Sequence, residues 1–228
     1  MCADLLLGGT VAGLAMSALD PQTFWIDGET TAESVHLSSA NHRDSEIVAG
    51  RTFVAVHTGV FDAMSGWATR RLRLVTSVYD PWELDRLLRR GFPSLVELQT
   101  MTLPILPSSF EAACSRPTME TLVASNQLID ETTIQLCESH LSKRSWERFE
   151  SWHSLAMKAG GMSLLCRVVT AKQFVVHGSP YITETDLRAA LERCEMVRCY
   201  ASQLHPDTQK AMTAEYSTSR LRFGNSPF

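Results

Sequence analysis

The hydrophobic period of this chain changes at Asp80, and that change constrains the fold more than any other feature. Before it, apolar residues recur every second position. In Arg71–Tyr79, Leu72, Leu74, Thr76 and Val78 share one face, and Arg71, Arg73, Val75 and Ser77 the other, which predicts a strand. Thr23–Asp27, Glu33–Ser38 and Ile47–Val60 are similarly rich in Val, Thr and aromatic residues. After Asp80 the spacing becomes helical. Asp80 is a cap, Pro81 suits a first helical position, Leu84, Leu87 and Leu88 share a face, and Gly91 ends the segment.

Further on, the segment from Gly91 to Pro117, which holds four prolines counting Pro117, predicts an extended connection. Helices are expected over Pro117–Asn126, Asp130–Leu141 and Ser142–Ala159. The last is read from Trp146, Phe149, Trp152 and Met157, with Gly160-Gly161 as its stop. Leu164–Val176 fits a strand pair or a buried helix. Thr183 caps a helix running to about Gln203, lined by Leu187, Leu191, Cys194 and Val197, and Pro206 opens a short last one. No internal repeat is evident. Strands first and helices after argue for α+β, an N-terminal strand-rich half packed against a C-terminal helical half. The expected parts are 1–92, a connecting loop at 93–116 and a helical 117–228, together one compact domain.

Composition excludes several classes. With 228 residues, 44% of them hydrophobic and 20% charged, the chain is long enough for a packed core and is not a disordered one. The uncharged run Leu5–Leu19 is shorter than the roughly 20 residues of a membrane span. The start Met1-Cys2-Ala3-Asp4 carries an acid where a secretory signal wants a base. No transmembrane segment is expected, and the protein reads as soluble and intracellular, cytoplasmic or part of a particle. The six cysteines form no dense framework and read as small core residues.

Motifs with specific chemistry are few. Leu5-Leu6-Leu7-Gly8-Gly9-Thr10-Val11-Ala12-Gly13 begins like a phosphate-cradling turn. It lacks the spaced glycines of a dinucleotide site and the Lys of a P-loop. Cys137, His140, His153 and Cys166, or Cys194, Cys199 and His205, do not complete a tetrahedral zinc pattern. His177-Gly178-Ser179-Pro180 places a base beside a hydroxyl, but Pro180 argues for a turn. No catalytic residue, cofactor or metal is assigned.

One stretch is locally basic although the whole chain carries −4. Arg70, Arg71, Arg73, Arg86, Arg89 and Arg90 lie among Trp67, Tyr79, Trp82 and Phe92. Arginine binds phosphate by charge and aromatic rings stack bases, while Asp80, Glu83 and Asp85 offer internal pairing. There are seventeen arginines against four lysines, and Arg is the basic residue enriched at interfaces. The expectation is a non-catalytic structural or interaction protein that self-assembles, of a viral capsid, matrix or nucleoprotein kind. Arg70, Arg71, Arg73, Arg86, Arg89, Arg90, Trp67 and Trp82 would contact RNA, another polyanion or an acidic partner surface. The alternatives are a small intracellular enzyme with a dispersed site, or a protein-binding adaptor.

Overall fold

The computed structural model describes residues 14–17, 23–28, 34–39, 54–56, 70–74, 77–79, 81–90, 93–152, 157, 159–178, 180–200 and 202–224. The chain forms two compact units, Met1–Leu103 and Pro104–Phe228.

In the first unit the described strands are β1 (Leu14–Ser17), β2 (Thr23–Gly28), β3 (Ser34–Ser39), β4 (Val54–Val56), β5 (Arg71–Leu74), β6 (Ser77–Tyr79) and β7 (Glu97–Pro104). Helix α1 (Pro81–Arg90) stands between β6 and β7. β1 pairs with β2 and β2 with β3 antiparallel, while β3–β5 and β5–β7 are parallel, as is the separate pair β4–β6. Leu72 of β5 is buried opposite Leu98 of β7. Leu84 and Leu88 form the buried side of α1, as the spacing of its leucines predicts. Arg71–Tyr79 is two strands in different sheets rather than one.

The second unit contains α2 (Pro107–Ser115), β8 (Thr121–Ser125), α3 (Glu131–Ser142), β9 (Trp146–Trp152), α4 (Ala159–Val168), β10 (Ala171–His177), α5 (Glu184–Arg193), β11 (Met196–Tyr200), α6 (Pro206–Arg220) and β12 (Leu221–Gly224). β8 through β12 pair in chain order, every pair parallel, so each strand lies beside its sequence neighbours. They begin at Thr121, Trp146, Ala171, Met196 and Leu221, a constant step of 25 residues.

One apolar ladder crosses all five strands, its members 23 to 27 residues apart in sequence. Leu122, Phe149, Phe174, Val197 and Leu221 stand in register across the five strands, all at 0% exposure. Three residues before the first four of these, where the chain turns into the strand, Met119, Trp146, Ala171 and Cys194 are buried as well. Phe149 meets Phe110 of α2 edge-on at 6.3 Å, and also touches Trp146 and Phe174. The ladder therefore faces the helices. Successive helices α2 to α5 pack on one another and form a single layer over that face.

Local signals place the helices. Asp130 caps α3 by accepting from the Thr133 amide at 2.8 Å, and Thr183 with Asp186 forms a reciprocal capping box at α5. Helix ends are tied to later turns by arginine. Arg144 donates to the carbonyls of Cys114, Arg116 and Met119 after α2, and Arg220 to those of Leu191 and Cys194 after α5.

These observations correct the expected α+β arrangement: from Pro81 to Gly224 strands and helices alternate one for one, a mixed α/β organisation. Trp146, Phe149 and Trp152 are buried as expected, but on strand β9 rather than a helix. The spacing of three between Trp146 and Phe149 comes from the turn entering the strand, and it mimics one helix face. Gly160-Gly161 lies near the start of α4, not at a helix stop. Residues 93–116 carry β7, which ends at Pro104, and α2, which opens with Pro107 at its first turn. Helix was expected over 117–126, where β8 runs. α5 closes at Arg193 and β11 follows, instead of one helix to Gln203. Capping at Asp130, Thr183 and Pro206 begins helices where the sequence places them.

Candidate functional site

Residues alternating with the apolar ladder face away from the helices. On β9 these are Arg148, Glu150 and Trp152; on β10, Gln173, Val175 and His177; on β11, Arg198 and Tyr200; on β12, Arg222 and Gly224. The middle of this face is buried, with Glu150, Trp152, Val175 and His177 nearly inaccessible, while Arg148, Gln173, Arg198 and Tyr200 are half-buried and Arg222 and Gly224 exposed.

Its centre is a stack of rings running across the strands. Trp152 and His177 lie 3.7 Å apart between centroids and 12° from coplanar, and His177 and Tyr200 follow at 4.6 Å and 12°. His177 is held at the end of β10 because Gly178 turns the chain at φ 61°, a left-handed conformation suited to glycine, and its amide donates to Tyr200 O at 3.1 Å. The next place in the row belongs to Gly224. A Cβ there would stand 2.9 Å from two Tyr200 ring carbons, so the tyrosine ring lies directly over the glycine.

Beside the stack runs a charged row. Glu150 Oε1 shares a 2.8 Å hydrogen bond with His177 Nε2, and Glu150 Oε2 takes the Arg148 guanidinium. Burial alone pushes the Glu150 carboxyl up. The His177 bond and the Arg148 charge outweigh burial, and its value sits below the ordinary one. With Glu150 ionised, His177 donates from Nε2. Its Nδ1 is buried and has no partner among the described residues. The bond to Glu150 fixes the orientation of the His177 ring within its stack.

Towards the end of the sheet the face opens. Tyr200 and Arg198 are half-buried and Arg222 and Gly224 are exposed. Arg198 Nε points to the Met196 sulfur and Arg222 Nε to Thr218 O. Among the described residues neither arginine has an acidic partner.

The residues singled out from sequence lie elsewhere, in the first unit. Arg71 and Arg73 are on β5. Arg86, Arg89 and Arg90 are on α1, where Arg86 and Arg89 are exposed and Arg89 pairs with Asp85 at 3.1 Å. Trp82 is 70% exposed on the same helix, and exposed Arg70 accepts the Val96 and Glu97 amides at its carbonyl. Trp67, the Gly8-Gly9 stretch, His153 and Ser179 lie outside the described residues. Cys137 and Cys166 are buried in α3 and α4, and no group of three His, Cys, Asp or Glu side chains among the described residues could hold a metal ion. Burial pushes the Cys194 thiol up to about 11 and that of Cys199 up to about 12.

Sequence reasoning singled out none of Glu150, Arg198, Tyr200 and Arg222 as site residues, and read Trp152 as a helix core residue and His177 as part of a turn. A signal was present, since Trp152 and His177 are one 25-residue step apart and each closes its strand. No helix among the described residues is long and apolar enough to cross a membrane. Comparison with protein-family models, with curated proteins and with solved structures finds no match to this chain.

Proposed function

We propose that the second unit is a short α/β solenoid acting as a non-catalytic recognition module, and that it engages a protein partner through the sheet face turned away from its helices. The observation that carries this reading is the sequential, all-parallel order of β8–β12 at a fixed 25-residue step. Stacked units of one strand and one helix, about 20–29 residues long, are the architecture of leucine-rich solenoids, which use an extended sheet face for binding. The apolar ladder carries Leu, Phe and Val in the positions such a unit needs. The opposite face carries Arg148, Gln173, Arg198, Tyr200 and Arg222, polar and aromatic groups of the sort that anchor interfaces.

This keeps the interaction-protein expectation and moves its surface from the Arg70–Arg90 stretch to the sheet. The test is selection from a random displayed-peptide library on the full-length chain, then measurement of each selected ligand against variants. Gln173→Arg and Arg198→Glu change the sheet face, and Glu138→Lys changes the helix layer. Ligands weakened by the first two and indifferent to the third are expected. If selected ligands respond only to the helix-layer change, or none is selected, the reading is wrong.

A further inference from the structure

Resting on that reading, we propose that the C-terminal end of the second unit receives an extended acidic peptide as an added parallel strand beside β12. The peptide would present an apolar, an acidic, an apolar and an aromatic residue in succession.

Three observations meet at this end. First, among the described residues β12 pairs with β11 alone, so its outer edge presents the backbone groups to which a peptide strand hydrogen-bonds. Second, the register Arg198↔Arg222 and Tyr200↔Gly224 brings two arginines without acidic partners alongside a ring whose row ends in a glycine. A strand beyond β12 would set one residue opposite Arg222 and, two positions on, one opposite Gly224. A carboxylate answers the first place. At the second, Gly224 has no side chain to separate an incoming aromatic ring from Tyr200, so the Trp152–His177–Tyr200 stack gains a fourth member. Third, the alternate positions, opposite Leu221 and Phe223, point to the helix side. There an open groove of about 740 Å³ is lined by Thr213, Ala214, Leu221 and Phe223, by Lys210, and by Arg222, whose Nε turns back to Thr218 O, so a carboxylate reaches Arg222 at the strand edge. It takes the two apolar side chains. The few cations at this end, Arg198, Lys210 and Arg222, match one or two carboxylates, whereas a nucleic acid would need many more.

The test measures fluorescence anisotropy of labelled peptides on the full-length protein. The probe has the core Val-Glu-Val-Trp. Controls replace Glu by Lys, replace Trp by Ala, or reverse the order, and a labelled single-stranded oligonucleotide serves as the polyanion arm. The probe is expected to bind. Loss of the ring should weaken it about 3- to 10-fold. Arg222→Glu should weaken it about 5-fold or more while improving the Lys peptide, the exchange that a general loss of folding cannot produce. Gly224→Val, which drives a side chain into Tyr200, should remove the preference for Trp over Ala. Equal binding of all four peptides, no rescue by charge exchange, or preference for the oligonucleotide overturns the proposal. So does concentration-dependent self-association that Gly224→Val abolishes, which would make a second copy the occupant. If library-selected ligands respond to Gln173→Arg and Arg198→Glu while this probe does not bind, the recognition reading stands and the β12 proposal fails. If neither occurs, both fail.

Discussion

Replacing Glu150 by Gln changes almost no volume and removes one charge from the middle of the sheet face. Glu150 is nearly inaccessible, its side chain 3% exposed, yet its carboxyl sits below its ordinary value of 4.5. Burial raises the value and is the largest single influence. The bond from His177 and the Arg148 charge together exceed it, so the folded protein favours the charged form over the neutral one. A neutral isostere must then destabilise. A hydrogen bond to a charged group contributes about 1.5–3 kcal/mol and a neutral one about 0.5–1.5, so the His177 contact loses about 1 kcal/mol. Arg148 is 43% exposed, and solvent holds its pairing to about 1 kcal/mol at most. Glu150→Gln should therefore lose about 1–2 kcal/mol in urea unfolding near pH 7, with an unchanged dependence on denaturant. A carboxyl held low in the folded state stabilises the fold above its ordinary range and loses that contribution as pH falls through the folded value. The gap between parent and variant should thus narrow progressively as pH falls below the ordinary carboxyl range. A variant as stable as the parent at neutral pH, or a gap that does not narrow on acidification, refutes the reasoning.

Other substitutions probe the frame around this site. Phe149→Ala empties the contact among Phe110, Trp146 and Phe174 and should destabilise by about 3–5 kcal/mol, read by thermal or urea unfolding. Asp130→Ala removes the cap of α3 and should lose about 1 kcal/mol, whereas Asp130→Asn should retain most of it. Arg144→Met deletes both the guanidinium stacked 4.4 Å over the Trp146 ring and its bonds to the carbonyls of Cys114, Arg116 and Met119. It should destabilise by a few kcal/mol and speed amide exchange near Met119 first.

Three helix starts were legible because capping is local, Asp130, Thr183 and Pro206 acting within a few residues of where they sit, whereas the helices expected from Pro117 and Ser142 are strands and those opening at Pro107 and Ala159 were not read. Strands β9 and β10 were not. Their inward residues alternate with Glu150, Val175 and His177, which are also buried, so no alternation of apolar and polar survives in Phe149–Trp152 or Phe174–His177. The repeat escaped notice for a related reason. Its strands open on Thr121, Trp146, Ala171, Met196 and Leu221 in turn, residues that share no identity. The site was hidden further still, since Glu150 and His177 are 27 residues apart and meet only through the pairing of β9 with β10. What composition did suggest, an arginine-rich contact, ranked the stretch by density. The structure distinguishes arginines instead by whether an acid answers them: Arg89 has Asp85, and Arg198 and Arg222 have none among the described residues.

The constant step from Thr121 to Leu221 also has a mechanical meaning. Each turn is gripped by its two neighbours through backbone ladders and by arginine ties such as Arg144 and Arg220. Pulled along the axis of stacking, the unit would yield as a coil spring with breakable rungs, and the turn with a single neighbour would peel first. A released turn of 25 residues adds a contour of about 85 Å of extended chain. Successive ruptures of equal length would register the 25-residue step on a force trace.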